Sequence, residues 1–453
     1  MKNLFTLFAF ATLIFATLAC TEEDSQGYTT YEVSVRLVAP TEITDTPFEG
    51  VEVQAQGNTG LTLKAKTNAS GIASFTMPED IYNFTASHKF TEDGSVYQVN
   101  YQLQRAITKQ DFVYTTSLAL EMTPVLSHGG KQIILKELYV GGCTKDDGSG
   151  SYQYDKYVVI YNNSNKVAEV PNFCISNVGP YNAHGNNANY VDGKLIYADE
   201  DYTPAYAYVF YLPRTLVMQP YTSATIALSG AINHTTTYSN SVDLSEADFV
   251  CYDAEDFWST SYHPVPSEKI SSENYMLASK LCAAGQNAAS WSMIAPGIFI
   301  FSTGDNEPLA FTQSMDNRYY MPGKQDNPVY ACAKIPNNWI FDAVDIWGAD
   351  YVGESMPRFS PMLESGYIYM NNKQGYSIYR NVDREATEAL PENEGKLVYN
   401  YNLGTTDNQG AFSTDLSGID AEASIANGAH IVYMDTNNSQ NDFHQRSIAS
   451  LKR

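Results

Sequence analysis

Hydrophobic and polar residues alternate along the first part of the chain. Residues 31–37 and 51–55 follow strict period two, the pattern of a strand with one buried face. The polar run at 68–71, Asn-Ala-Ser-Gly, predicts a turn within the alternating segment 66–75. We therefore expect strands through residues 31–122, with a hairpin across this turn.

A second set of strands is predicted further along the chain. Residues 123–130 contain Pro and paired Gly after a strand and predict a linker. Apolar segments then follow at 133–142 and 155–164, separated by a polar loop. Similar segments recur far downstream, at 341–347, 375–380 and 434–443.

Composition supports the same fold class. The 34 Tyr outnumber the 27 Lys and Arg combined, and 29 Gly and 19 Pro accompany them. Such a composition favours strands and turns, and helix formers do not recur at helical spacing. With 43 % hydrophobic residues among 453, the chain is long enough for two or three domains with sizeable cores. We predict an all-β protein.

The net charge excludes one class of partner. The chain has 27 basic and 51 acidic residues, a formal charge of −24. Nucleic-acid binding needs basic patches that displace counterions from phosphates, so nucleic acid is not expected as a partner. The acidity serves solubility or attracts cations or a basic partner surface.

The N-terminus has the pattern of a processing signal. An apolar run at 4–19 is too short to span a membrane and ends in Thr17-Leu18-Ala19-Cys20. This ending resembles a bacterial lipobox, with Thr17 where the best-fitting sequences have Leu. The resemblance implies a signal peptide at 1–19, lipidation of Cys20 and a tether at 20–30. The alternative is an ordinary secretory signal peptide.

An acidic cluster follows the lipidation site directly. It resembles the surface-export signal of Bacteroidota lipoproteins, which implies a lipid anchor in the outer membrane with the protein facing the medium. The lipidated cysteine would carry several lipid chains, which are enough to hold a protein stably on a membrane. The cluster consists of Glu22, Glu23 and Asp24.

Five cysteines remain beyond Cys20, and their widely spaced positions do not suggest a metal cluster. Since five is odd, at least one thiol is unpaired. The sequence leaves open one or two disulfides with a buried thiol, or five buried thiols. The residues are Cys143, Cys174, Cys251, Cys282 and Cys332.

Two regions of the chain resemble known modules. Residues 31–125, with Gly50-Val51 and the Thr-to-Phe segment 67–75, resemble prealbumin-like (carboxypeptidase regulatory-like) modules, which are small β-sandwiches. Residues 131–453 resemble the lamin-tail domain, an immunoglobulin-like β-sandwich, most specifically in the ending at 434–443. That domain is much shorter, so residues from about 180 to 335 are expected to be a large insertion or an elaborated second sandwich.

The order of these parts resembles a family of uncharacterised Bacteroidota surface lipoproteins. Genes of that family tend to lie beside outer-membrane TonB-dependent receptors. The resemblance implies an accessory role at such a receptor.

Catalytic motifs are missing from the sequence. The seven His residues show neither HExxH nor HxH spacing, and GxSxG, Walker and dinucleotide motifs do not occur. We therefore predict a non-enzyme without cofactor or metal. The acidic loops at 146–150 and 199–201 are interpreted as solvated turns, in preference to calcium loops. Asp435, Asn437 and Asn438 are expected to cap a turn.

Aromatic residues are the remaining candidates for binding. At 206–211, alternation predicts Tyr206, Tyr208 and Phe210 on one strand face. Most aromatic residues are expected in the core, whereas loop-borne ones are expected at the surface. Four of these are chosen as a contact surface: Trp258, Tyr262, Tyr319 and Tyr320.

Three functions follow as hypotheses. The preferred one is ligand capture or an accessory role beside a TonB-dependent receptor. The second is a stand-alone adhesin or glycan-binding surface protein that uses the aromatic loops. The third is an accessory of an extracellular hydrolase, because lamin-tail domains often accompany such enzymes.

Overall fold

Strands dominate the structure, a computed structural model, and its helices are short. It describes residues 29–38, 48–92, 95–122, 124–127, 132–282, 286–325, 327–405 and 414–452. The predicted all-β class is confirmed. The predicted signal peptide, Cys20 and the acidic cluster after it lie outside the described residues.

The first region consists of two facing sheets. One has the order β4-β1-β7 and the other β3-β2-β5-β6-β8. Alternate residues such as Val33 and Phe75 from one sheet and Val53 and Phe84 from the other are buried between them. The strands are β1 (Thr30–Leu37), β2 (Glu52–Gly57), β3 (Thr62–Lys66), β4 (Ile72–Pro78), β5 (Asp80–Glu92), β6 (Ser95–Ile107), β7 (Ser117–Met122) and β8 (Pro124–Ser127).

Two local predictions for this region were wrong. The turn at 68–71 exists, because Asn68 Oδ1 accepts the backbone N–H groups of Ser70 and Ile72. However, β3 pairs with β2 and β4 pairs with β1, so the turn connects the two sheets and does not close a hairpin. Likewise the predicted linker 123–130 contains β8, which pairs with β6. Local sequence identifies a turn, but the pairing partner depends on residues far along the chain.

The second region is built from many short strands. They are β9 (Ile133–Tyr139), β10 (Cys143–Thr144), β11 (Ser151–Tyr152), β12 (Tyr157–Asn162), β13 (Ala168–Val170), β14 (Phe173–Val178), β15 (Tyr190–Val191), β16 (Lys194–Leu195), β17 (Tyr202–Tyr211), β18 (Leu216–Met218), β19 (Ser223–Ala227), β20 (Phe249–Cys251), β21 (Tyr275–Lys280), β22 (Gly297–Ser302), β23 (Arg318–Tyr320), β24 (Ala331–Pro336), β25 (Ile340–Gly348), β26 (Ile368–Met370), β27 (Ser377–Arg380) and β28 (Phe443–Arg446).

Short helices connect these strands. The α-helices are α1 (Pro308–Gln313), α2 (Arg384–Glu388), α3 (Ala421–Ala426) and α4 (Ser439–Asp442). The 3₁₀ turns are Lys109–Phe112, His234–Thr236, Ser272–Asn274, Met315–Asn317, Pro328–Tyr330, Asn337–Trp339, Ala349–Glu354, Pro391–Asn393 and Ser450–Lys452.

Fourteen of these strands form one sheet. Its main path is β26-β25-β22-β14-β17-β21-β20-β19-β12-β9-β27-β28, and β24 and β23 branch from β17. The sheet curls so that its ends meet, with β25 against β9 and β26 against β28. Strands β17 and β19 to β24, from the segment at about 180–335, supply much of its middle. The module names and boundaries given above stay predictions.

Several central strands are buried on both faces, which strict alternation does not predict. All six residues of β22 are buried; Ile298 and Ile300 face the main core, and Phe299 and Phe301 face a second cluster. This agrees with a continuous apolar run rather than an alternating one.

A backbone irregularity divides β17. Ala207 has φ 67° and its carbonyl accepts the N–H groups of Leu281 and Cys282. Before it the strand pairs with β24, and after it with β21. Tyr208 and Phe210 face the main core together as predicted, whereas Tyr206 is only partly buried against that core. The strand therefore joins two parts of the sheet.

A buried ion pair ties the curled ends together. The Arg380 Nε donates to the carbonyl of Leu135 at 2.7 Å and its Nη1 to the carbonyl of Met434 at 2.8 Å. Its Nη2 donates to Asp342, which also accepts the N–H of Leu135 at 2.7 Å. One guanidinium thus connects β27, β9 and β25.

All five cysteines of the described region are free and buried. Burial raises the pKa of the Cys143 thiol to about 11 and that of Cys332 to about 12. Of the two alternatives that the sequence left open, the structure has five buried thiols. Within the described residues, none of the helices is long and apolar enough to cross a membrane.

Candidate ligand-binding clefts

The two regions meet along a seam that contains two clefts. The first, called here the seam cleft, has a volume of about 430 Å³. It is lined by Glu52, Gln54, Lys64, Thr85, Ala86, Ser87 and Tyr101 of the first region and by Pro361, Met362, Ser365, Asn381, Val382, Asp415, Leu416, Ser417, Met434, Thr436, Asn437, Asn438 and Asn441 of the second.

Alternation in the first region supplies one wall of the seam cleft. Because Val53 and Ala55 face the sandwich core, their neighbours on β2 project from the opposite face of the sheet. Glu52 and Gln54 are these neighbours. Glu52 forms an exposed ion pair of 2.8 Å with Lys64 on β3, so the charges at this rim compensate each other.

The closing motif of the sequence supplies the other wall. Asn438 Oδ1 accepts the N–H of Gln440 at 3.0 Å and begins α4, which confirms its predicted capping role. Asn437 has φ 53°, a conformation that Asn adopts more readily than most residues. Asn441 on α4 is partly exposed and lines the cleft. Because this cap fixes the path of the chain, the amide side chains of Asn437, Asn438 and Asn441 line the cleft.

Buried carboxylates lie beneath this wall. Asp442 accepts the N–H and the hydroxyl of Thr436, both at 2.8 Å. Burial raises the pKa of Asp442 to about 6, while nearby Arg380 opposes the shift. The carboxylate of Asp415 accepts the N–H of Val382 at 2.9 Å, and burial raises its pKa. These acids are engaged within the protein, and the cleft surface combines amides and hydroxyls with apolar side chains such as Met362 and Leu416.

The second cleft, called here the aromatic cleft, has a volume of about 450 Å³ and shares Pro361 and Ser365 with the first. Trp347 and Tyr367 stack in it with ring centroids 3.6 Å apart. Its remaining lining is Gln56, Gly57, Asn58, Gly60, Asn83, Tyr190, Gly193, Lys194, Leu195, Ala198, Val352, Gly353, Ser355, Pro357, Phe359 and Glu364. Amides and aromatic rings together suit an uncharged polar ligand.

The four aromatic residues chosen from the sequence do not form one surface. Trp258 is 54 % exposed, as predicted, with Lys280 Nζ 5.3 Å from its ring centroid. Tyr262 is half-buried against Tyr154. Tyr319 and Tyr320 lie on β23 rather than in a loop.

The prediction of exposure is wrong for Tyr319. This residue is only 9 % exposed, and its hydroxyl donates to Asn189. Tyr320 is partly buried against the Phe299 cluster. None of the four chosen residues lines either cleft. A strand of three residues is too short for periodicity to reveal, which explains the error.

The acidic loops form turns. The N–H of Gly148 donates to the carbonyl of Lys145 at 3.0 Å, and Asp147 accepts the N–H of Ser149. Asp199 pairs with Lys194. Asp435 lies 3.5 Å from Arg380. Within the described part of the chain, three or more His, Cys, Asp or Glu side chains are nowhere grouped to hold a metal ion.

Sequence reasoning missed both clefts. The four amide side chains within 437–441 were the available signal, because amides concentrated next to a strand can line a binding loop. The partners across the seam had no comparable signal, since Gln54 and Thr85 look like ordinary solvent-facing strand residues.

These features define a β-rich protein with two regions and clefts of mixed polar and apolar lining at their junction. The model of the family described as "Protein of unknown function (DUF4876)" matches residues 219–450, just over half of the chain. The chain belongs to this family. An uncharacterised family was expected from the sequence, and that expectation is confirmed. No curated protein matches the chain.

A solved structure of the same family shares the fold. A DUF4876 family protein from Bacteroides thetaiotaomicron is 19 % identical, with a TM-score of 0.50 over 93 % of this chain and 97 % of that one. A DUF3823 family protein from Parabacteroides merdae is 8 % identical, with a TM-score of 0.16 over 42 % and 97 %. A protein described as an adhesin candidate from Bacteroides ovatus is 9 % identical, with a TM-score of 0.17 over 76 % and 94 %. Only the first likeness is strong enough to bear on the fold.

Proposed function

We propose that the protein is a non-catalytic, lipid-anchored protein of the outer-membrane surface that captures an uncharged polar ligand in the seam cleft. The observation that carries ligand capture is the cleft itself, whose carboxylates are engaged internally and whose surface combines apolar side chains such as Met362 and Leu416 with amides and hydroxyls. Such groups donate and accept hydrogen bonds without a charge to neutralise.

The anchor and the partner rest on the sequence. The ending Thr17-Leu18-Ala19-Cys20 and the acidic residues after it support lipidation and export to the surface. The resemblance to surface lipoproteins encoded beside TonB-dependent receptors supports a receptor of that class as the partner. Captured ligand would then be passed to the receptor for uptake.

One purification tests both parts. The tagged full-length protein is purified from mildly solubilised outer membranes, washed at high salt and analysed by mass spectrometry for proteins and for small molecules released on denaturation. We expect one TonB-dependent barrel in stoichiometric amount and a released polar ligand. Asn441→Trp, which fills the cleft, should lose the ligand and keep the barrel.

Two controls complete this experiment. Cys20→Ser should abolish attachment to the membrane. Tyr114→Ala, which removes a 99 % exposed ring of the first region, should behave as the unchanged protein. Repeated recovery without any barrel contradicts the receptor partnership, and equal ligand release from Asn441→Trp contradicts capture in the seam cleft.

A stand-alone adhesin or glycan-binding surface protein is the second candidate. The exposed Trp258 favours it, because an exposed indole offers a face for a sugar ring or a protein partner. Recovery of the protein alone, together with a glycan that raises its melting temperature, would select this function.

A further inference from the structure

A row of four tyrosine rings joins separate loops of the second region, outside both clefts. The ring centroids of Tyr238 and Tyr152 are 4.8 Å apart, those of Tyr152 and Tyr154 are 5.5 Å apart, and those of Tyr154 and Tyr262 are 4.9 Å apart. All four side chains are partly exposed. We call this set the tyrosine row.

Hydrogen bonds hold the rings of the row in place. His234 Nε2 lies 2.7 Å from the carbonyl oxygen of Gly230 and must donate to it, because a carbonyl only accepts. His234 Nδ1 therefore accepts the hydroxyl of Tyr152 at 2.8 Å. Burial, followed by the hydrogen bond with Tyr262, raises the pKa of Tyr154. The hydroxyls of Tyr152, Tyr154 and Tyr262 are thus engaged within the protein.

The loops that carry the row are fastened to one another. Asp146 accepts the N–H of Ser239 at 2.9 Å, and Asn240 donates to the carbonyl of Thr144 at 3.3 Å. These contacts join the loop before β11 to the loop that carries Tyr238. The rings are consequently held in position before any ligand arrives, which reduces the entropy lost on binding.

We propose that the tyrosine row binds an uncharged saccharide chain. Because three of the four hydroxyls are engaged, the row offers mainly ring surface, on which the C–H face of a sugar can stack. The centroids are spaced about as far apart as neighbouring sugar units in a chain. The net charge of −24 disfavours anionic polysaccharides.

The ring orientations favour a chain of linked sugar rings as the ligand, in preference to a flat molecule. Successive planes are inclined at 47°, 89° and 71°, so the row is a turning ridge rather than a platform. A glycan also turns from one unit to the next about its linkages. A proline-rich peptide would need free donors for its carbonyl groups, and the engaged hydroxyls offer few.

This inference is independent of the seam cleft and gives the second candidate function a specific surface. Its test is affinity electrophoresis and calorimetry of the full-length protein with cello-, malto-, xylo- and manno-oligosaccharides, and with a proline-rich peptide as competitor. We expect at least one oligosaccharide to bind. Tyr262→Ala and Tyr154→Ala should each weaken binding by about tenfold, whereas Tyr154→Phe keeps the ring and most of the affinity.

Controls separate this surface from the cleft. Tyr114→Ala and the cleft variant Asn441→Trp should bind saccharide normally, and Tyr262→Ala should still recover the receptor barrel. If Tyr154→Ala does not fold, the saccharide affinities of Tyr262→Ala and Tyr154→Phe are compared instead to test the proposal. Absence of binding to every oligosaccharide, unchanged binding by Tyr262→Ala, or preference for the peptide overturns the proposal.

Discussion

His444 shows how one buried side chain depends on its neighbours. Its Nδ1 lies 2.7 Å from Asn381 Oδ1 and its Nε2 lies 2.5 Å from the Tyr401 hydroxyl. Since an amide oxygen only accepts, Nδ1 carries the proton and Nε2 accepts from Tyr401. Burial, with a further contribution from Arg446, lowers the pKa of His444 to about 3.

The pKa shift of His444 predicts acid sensitivity. Between pH of about 6.5 and about 3, the unfolded chain binds a proton at this residue and the folded chain does not. The free energy of unfolding therefore falls as pH falls through this window, by up to about 1.4 kcal/mol per pH unit. His444→Gln should be less stable at pH 7 but should lose less stability on acidification.

The contribution of His444 must be measured as the difference in unfolding free energy between the wild type and His444→Gln. Burial raises the pKa of Asp342 and of Asp442 to about 6, so these acids give a slope of opposite sign below that pH. Denaturant unfolding of the wild type and His444→Gln across pH cancels their contribution. His430→Gln, at a partly exposed histidine, is the matched control. Parallel pH curves for wild type and His444→Gln would refute the prediction.

At the scale of elements, the curled sheet depends on a few side chains that connect distant strands. Arg380 on β27 contacts both β9 and β25, and Glu137 on β9 accepts from Ser377 on β27 and Ser450 at the C-terminus. Apart from the Arg380–Asp342 pair, these contacts join residues more than two hundred positions apart. Backbone pairing alone leaves the ends of a sheet free to separate.

Removing the guanidinium is predicted to destabilise the second region strongly. Arg380→Met leaves Asp342 buried without its counter-ion, which costs about 3–5 kcal/mol. Arg384→Met removes an exposed pair with Glu388, together with a 3.4 Å hydrogen bond to the Ser417 carbonyl and a contact with the Tyr399 ring, and should cost about 0–1 kcal/mol. All four Trp lie in the second region, so denaturant unfolding followed by Trp fluorescence reports this region. Equal effects of the two substitutions would contradict the role of Arg380.

At the scale of the whole molecule, two separately packed cores meet at the seam that contains the two clefts. The first core lies between two sheets, and the second fills the curled sheet. The five cysteines lie in the second region only and are buried in it. Their reactivity therefore reports whether that region remains folded.

Thiol counting tests this arrangement. Thiolate is the reactive form, and burial both covers the thiols and raises their pKa. In Cys20→Ser, which retains only these five cysteines, we expect almost no reaction with a thiol reagent in the folded state and five equivalents after denaturation without reductant. A count of three or one would reveal disulfides and contradict the structure.

Individual residues show how far sequence reasoning reached. The alternation at β1 and β2, the Asn68 turn and the Asn438 cap were predicted because each depends on residues within a few positions. The Trp258 exposure followed from its place in a polar loop. Tyr319 was misjudged because its burial depends on Asn189 and on strand β24, which no local pattern connects to it.

The sequence by itself determined strand content, turn positions, acidity and the lipobox-like ending, since these are properties of composition and near neighbours. Only the tertiary structure decided that β3 and β4 enter different sheets, that β22 is buried on both faces, and that loops around Tyr152, Tyr238 and Tyr262 converge. Pairing and convergence depend on contacts between residues far apart in the chain. Their free energy belongs to the packed molecule and not to any segment.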